Sequence, residues 1–294
     1  MTPRFDAHFL NVDDGPLGQR FAIHHPPQGD AVRGLVVYVH PFAEEMNKSR
    51  RMAALQSRAL AEAGFAVMQM DLLGCGDSAG DFGDATWVRW LADVAYACQW
   101  LRARYPSGVD AAPLWLWGLR AGCLLAAEAA SQVSEPCHFL FWQPATSGKL
   151  LLQQFLRLKA VGELAGGHAK AAMEQLRKEI LAGRSIDVAG YALHAQLCQG
   201  LEQSTLQPPS RAGRALWFET STVDQPTLSL AASGSAATWL EAGWAIRADT
   251  VTGPAFWQTT EIEDAPALLK ATLSAMAAPQ MVGAASRSVA VQTP

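Results

Sequence analysis

Apolar residues along this chain alternate between unbroken runs of about six and stretches that repeat every three or four positions, and each rhythm predicts its own element. Phe5–Asn11 and Arg20–His25 flank the turn-forming Asp13-Asp14-Gly15-Pro16, and Pro26-Pro27 closes the second segment, so the pair predicts two antiparallel strands at a sheet edge. Gly34–Val39 is apolar throughout, as expected of a strand covered on both faces. In Ser49–Ala63 the residues Met52, Leu55, Ala59, Leu60 and Ala63 recur at helical spacing, with Ser49 as the expected cap and Gly64 as the stop. The alternation continues with a strand at Phe65–Met70, a helix at Thr86–Arg104, a strand at Leu114–Trp117, a helix at Ala121–Ala130 and a strand at His138–Trp142. Strand-helix units in series imply an α/β fold with a mostly parallel central sheet and right-handed crossovers.

After Pro144 the rhythm breaks. Lys149–Leu164, His168–Leu181 and Val188–Leu201 all read as helices with no strand between them, which predicts a helical cap inserted over residues 148–205. Strands return at Ala215–Thr220 and, more weakly, at Ala245–Thr250, and a helix over Ala265–Ala277 closes the pattern. The expected organisation is therefore a discontinuous core of residues 1–147 and 206–277 around the cap, with a flexible tail at 278–294 that lacks periodicity.

Composition narrows the class. Half of the 294 residues are hydrophobic and 17% are charged, enough to build a large core and unlike a disordered or fibrous chain. A net charge of −4 without a basic run argues against nucleic acid as a partner. No stretch of about 18 apolar residues is present to span a membrane, and the N-terminal segment lacks a signal peptide's apolar run, so a cytoplasmic protein is expected. Five cysteines without a CxxC pair indicate neither a disulfide framework nor a structural zinc site. The histidines His8, His24, His25, His138, His168 and His194 show no metal-ligand spacing with acids or thiols, so no metal is expected, and no motif calls for a cofactor.

Ligands of open parallel sheets bind beyond the carboxyl ends of the strands. Three such ends stand out: His40-Pro41-Phe42, Asp71-Leu72-Leu73-Gly74-Cys75-Gly76-Asp77-Ser78, and Gly118-Leu119-Arg120-Ala121-Gly122. Their order and spacing resemble the α/β-hydrolase fold, in which a G-x-S-x-G elbow presents a nucleophile and a His-containing loop helps form an oxyanion hole. The longer strings HPFAEEMNK, DLLGCGDSAGDFGDATW and LWLWGLRAG resemble a narrower family, the exosortase A system-associated hydrolase 2 proteins. That resemblance implies a role in a Gram-negative locus for exopolysaccharide export and sorting of PEP-CTERM proteins, with other proteins of that locus as partners.

This sequence departs from the fold's usual chemistry at two positions. Arg120 occupies the nucleophile position, and a guanidinium cannot attack a carbonyl. No histidine follows His194, and Phe256 is the residue expected where the general base belongs. Asp224 follows a predicted strand in the right chain order for the acid. Arg120, placed beside the backbone donors of Phe42 and Ala121 at a helix start, suits a small anionic or acylated ligand such as a carboxylate, a phosphate ester or a pyrophosphate. The competing structural reading pairs Arg120 with Asp224, Glu44 or Glu45.

The alternative function is ester or thioester hydrolysis, or acyl transfer, with His40 as proton shuttle and either Cys75 or Ser78 as a displaced nucleophile or a substrate-activated water. His40 is expected instead to orient the oxyanion loop, Cys123 to pack beneath the elbow, and the glycine-rich loop after Asp71 to brace the site. Of the ten tryptophans most are expected in the core, with Trp257 the one placed to stack on a ligand.

Overall fold

The computed structural model describes residues 5–29, 31–106, 112–162 and 169–278. One eight-stranded sheet runs through the molecule. Its strands in chain order are β1 (Asp6–Asn11), β2 (Gln19–His25), β3 (Gly34–Val39), β4 (Phe65–Met70), β5 (Leu114–Leu119), β6 (Cys137–Trp142), β9 (Arg214–Ser221) and β10 (Ala245–Thr252), the labels β7 and β8 belonging to a separate hairpin at Ile186–Val188 and Tyr191–Leu193. Across the sheet the order is β1-β2-β4-β3-β5-β6-β9-β10. The β1–β2 and β2–β4 pairs are antiparallel and all the others are parallel.

Successive residues of the central strands feed two separate cores, because a strand's side chains alternate between its faces. Leu35, Val37, Leu116, Phe139, Phe141 and Trp217 pack on one side, with α2 (Trp87–Arg104), α3 (Ala121–Ala129) and α7 (Leu230–Glu241) contributing Val94, Leu124 and Trp239. Val36, Trp115, Trp117, Leu140 and Phe218 pack on the other, against Met52 and Leu60 of α1 (Glu44–Glu62) and Leu268 and Met276 of α8 (Pro266–Ala277). Each fully buried aliphatic side chain contributes about 1.5–3 kcal/mol, so coverage on both faces explains why these strands read as continuous apolar runs.

Several local expectations need correction. Helix α1 begins at Glu44, not Ser49; it starts directly from the site loop without a side-chain cap, and the buried Ser49 hydroxyl bonds back to the Met46 carbonyl. The expected helix over Val188–Leu201 is instead the β7–β8 hairpin followed by α6 (Ala195–Gln203), capped by His194 Nδ1. Helix α7, rich in Ala, Ser and Gly, carries too few large apolar residues to reveal itself by periodicity. Between β6 and β9 the chain also forms α4 (Gly148–Gly162) and α5 (Ala169–Leu181). His168 and the segment 279–294 lie outside the described residues. No helix among the described residues is long and apolar enough to cross a membrane.

Candidate functional site

The site is built at the carboxyl ends of β3, β4 and β5. Strand β5 turns into α3 through the single residue Arg120, whose φ of 55° and ψ of −117° are strained for a side chain with a Cβ. Such conformations cost about 1–3 kcal/mol and persist where surrounding structure enforces them. The flanking glycines provide that enforcement by close packing. A Cβ on Gly122 would lie 2.1 Å from the Val39 carbonyl oxygen, and one on Gly118 would lie 2.6 Å from the Cys123 backbone nitrogen. The elbow backbone of G-x-S-x-G is thus intact while its tip is an arginine.

Arg120 points its guanidinium across the cleft toward α1. Its Nε donates to Glu45 Oε1 at 3.2 Å, and its carbon lies 5.7 Å from the centre of the Trp257 ring, close enough for a cation–π contact. Of the three acids expected as possible partners, Glu45 is the one engaged. Glu44 instead accepts a 2.9 Å bond from the Tyr191 hydroxyl, and Asp224 is exposed in the loop after β9, without an ion pair among the described residues. Burial raises the Glu45 carboxyl above its ordinary range, while Arg120 and the Gln258 side chain hold it down in part. Its Oε2 is buried and lacks a hydrogen-bond partner among the described residues.

The backbone N–H groups of Phe42 and Ala121 likewise have no protein acceptor among the described residues. Both residues are buried, Phe42 lines the cleft, and Ala121 opens α3 directly after Arg120, where the helix dipole adds partial positive charge. Above them lies a cavity of about 320 Å³ lined by Phe42, Glu45, Arg120, Phe155, Trp257 and Gln258, among others. Its walls are mostly apolar: Leu151, Phe155 and Leu158 of α4 face it from above, and Phe155 meets Phe42 edge-on at 5.1 Å. A larger hollow of about 960 Å³ opens between α2, α3 and α6, but it contains none of the elbow residues.

Phe256, expected at the base position, does not line the cleft. It is wholly buried beneath the sheet, edge-on to Trp142, and the residues of its loop that reach the cleft are Trp257 and Gln258. Trp257 therefore stacks on Arg120. His40 is committed to structure on both ring nitrogens: Nδ1 donates to the Pro41 carbonyl at 2.8 Å, and Nε2 accepts from the Leu72 amide at 3.3 Å. Burial keeps its pKa low, so the ring is neutral in this tautomer.

The loop after β4 is braced from several sides. Ser78 Oγ donates to the Asp71 carbonyl at 2.5 Å and accepts from the Phe21 amide at 2.9 Å, so its hydroxyl is committed to holding the loop. The Cys75 thiol is buried and pushed up far from a thiolate by desolvation and by Asp71. Cys123 packs under the elbow, where burial likewise raises its thiol. Sequence reasoning missed the buried Arg20–Asp93 pair, 2.9 Å apart, whose Asp93 Oδ2 also accepts from the Leu73 amide. Two opposite charges so far apart in the chain leave no local signal.

The fold agrees with comparison to known proteins. Residues 30–235 match the model of a family described as Hydrolase_4, serine aminopeptidase, S33. The chain belongs to this family. Solved structures sharing the fold include the α/β serine hydrolase XC6422 of Xanthomonas campestris, described as having no lid, at 18% identity and a TM-score of 0.52 over 94% of this chain and 93% of that one. Est1E of Butyrivibrio proteoclasticus, solved with ferulic acid bound, matches at 16% identity and a TM-score of 0.56 over 88% and 93% of the two chains. Carboxyl esterase 2 of Tuber melanosporum gives 16% and 0.56 over 94% and 85%. A curated human relative, Protein ABHD12B, is 33% identical over 101 residues, which are 34% of this chain and 25% of that protein's length. Within the Hydrolase_4 family, whose description is that of a serine aminopeptidase, this chain presents Arg120 at the elbow tip.

Proposed function

We propose that this Hydrolase_4 protein binds an acylated anion in the hydrolase cleft and does not hydrolyse it by a Ser-Asp-His triad. The observation that carries the reading is Arg120 at an intact, strained elbow, with the unpaired Phe42 and Ala121 N–H groups beside it. A ligand carboxylate or phosphate would take these donors and displace Glu45 from Arg120. The acyl chain would lie against Phe155, Leu151, Leu158 and Trp257. In this reading α4 to α6 form a cap over residues 148–205, attached to the cleft through Phe155–Phe42 and Tyr191–Glu44.

The resemblance to the exosortase A system-associated proteins supports a cytoplasmic role in exopolysaccharide assembly, where lipid-linked phosphates and pyrophosphates match the required chemistry. Neither His40 nor Asp224 is then catalytic, since His40 orients the oxyanion loop and Asp224 is a remnant acid. Treatment with a serine-reactive phosphonate or a thiol-reactive acyl probe, followed by intact-mass measurement and peptide mapping, separates this reading from a displaced-nucleophile hydrolase. No adduct is expected. An adduct at Ser78, or an acyl-thioester adduct at Cys75, that disappears in His40→Ala would establish hydrolysis without the usual triad in its place.

A further inference from the structure

We propose that Asp6, His8 and His24 form a binding site for a divalent transition-metal ion, with zinc the best match to its donors. One ligating atom of each lies within 4.8 Å of the others, and Asp6 Oδ2 is 3.7 Å from His24 Nδ1. The ladder creates this cluster. Asp6 is registered opposite His24 across β1 and β2, and His8, two residues further along β1, returns to the same face. Spacing along the chain does not display such a triad, so the expectation of no metal followed from looking for ligands within one segment.

Two unpaired nitrogens point to a ligand. His24 is fully buried, yet its Nδ1 has no hydrogen-bond partner, and the buried His8 Nε2 also lacks one among the described residues. Leaving such groups unsatisfied is costly, and a cation accepting both lone pairs removes the cost. The other nitrogen of His24, Nε2, lies 3.0 Å from the Tyr105 hydroxyl, the outer-sphere arrangement that fixes a ligating imidazole's tautomer. Arg104 lies 5.5 Å over the face of Trp100 and makes no ion pair with Asp6 among the described residues.

Two imidazoles and one carboxylate are a common zinc donor set, with water completing a tetrahedron. Tetrahedral zinc bonds of about 2.0–2.1 Å place donor atoms roughly 3.4 Å apart, so the site must contract slightly; Asp6 and His8, both only partly buried, have the freedom to do so. An ion here would clamp the edge strand β1 to β2. The site is independent of the cleft reading, since β2, β4 and β3 separate β1 from the elbow strand β5.

Untagged protein stripped with a chelator should be titrated with zinc chloride by calorimetry and with cobalt chloride by visible absorption. One equivalent per chain, a visible cobalt band and a Tm raised by about 4 °C at a hundredfold excess over Kd are expected. Asp6→Asn and His8→Gln should each weaken zinc by more than about 100-fold, and Tyr105→Phe by about 10-fold, the range of outer-sphere partners. Both ligand variants alter partly exposed side chains at the sheet edge, so folding should survive where His24→Gln risks losing it. Substoichiometric binding by the wild type, or unchanged affinity in Asp6→Asn and His8→Gln, overturns the site.

Discussion

Arg120 Nε donates to Glu45 Oε1 at 3.2 Å, so the residue at the nucleophile position is tied to the first turn of a helix that begins 76 positions earlier in the chain. A double-mutant cycle with Arg120→Met and Glu45→Gln measures what the pair contributes. Coupling of about 0.5–3 kcal/mol in urea unfolding is expected for groups in direct contact. Additive effects would mean the contact stabilises nothing.

His40 joins the loop after β3 to the loop after β4 through its two ring nitrogens. Its replacement by alanine leaves the buried Leu72 N–H unsatisfied, which predicts a loss of about 1–3 kcal/mol. Ligand affinity should weaken equally from pH 6 to 8, as expected for a residue that positions a loop. A pH-dependent defect would assign it a proton-transfer role instead.

Asp93 receives both Arg20 and the Leu73 amide in a buried setting. Asp93→Ala removes one partner of a buried pair and should cost about 3–5 kcal/mol, read as a lower urea midpoint. Nearly unchanged stability would show that Arg20 finds solvent or another acceptor.

Acid should destabilise the fold well before carboxylates are lost. His24, His25 and His138 are each held near 4, chiefly by desolvation, against about 6.5 when unfolded. Because the unfolded chain binds these protons first, stability is fully present above about pH 6.5 and falls as pH drops toward 4, by about 1.4 kcal/mol per unit per histidine. Urea unfolding at pH 7, 6 and 5 in chelator checks this. A flat profile would contradict it.

Much of the fold was legible because its cause is local. The runs at Gly34–Val39 and Leu114–Trp117 and the helical period of Thr86–Arg104 reflect burial that each segment expresses by itself. The start of α1 at Glu44 was not, since no cap side chain marks it and the loop geometry around Ala43 sets it. The β7–β8 hairpin was mistaken for helix because three-residue strands are too short to display a period of two. At the site, Arg120 and the Phe42 and Ala121 donors could be read from the elbow motif, whereas the choice of Glu45 among three acids depends on how α1 faces the cleft. Phe256 and Trp257 differ by one position, and only the loop's path decides which faces inward. Asp6, His8 and His24 became neighbours through strand register, which no spacing rule reports.

The most direct measurement is a calorimetric titration of the purified protein with dodecyl phosphate, alongside dodecanol and inorganic phosphate, in wild type and Arg120→Met. Binding of dodecyl phosphate that needs both its alkyl tail and its charge, and that falls at least about tenfold in the variant, a difference of about 1.4 kcal/mol, is the predicted result. Equal affinity for dodecanol, or equal affinity in Arg120→Met, would contradict the role assigned to the arginine at the elbow.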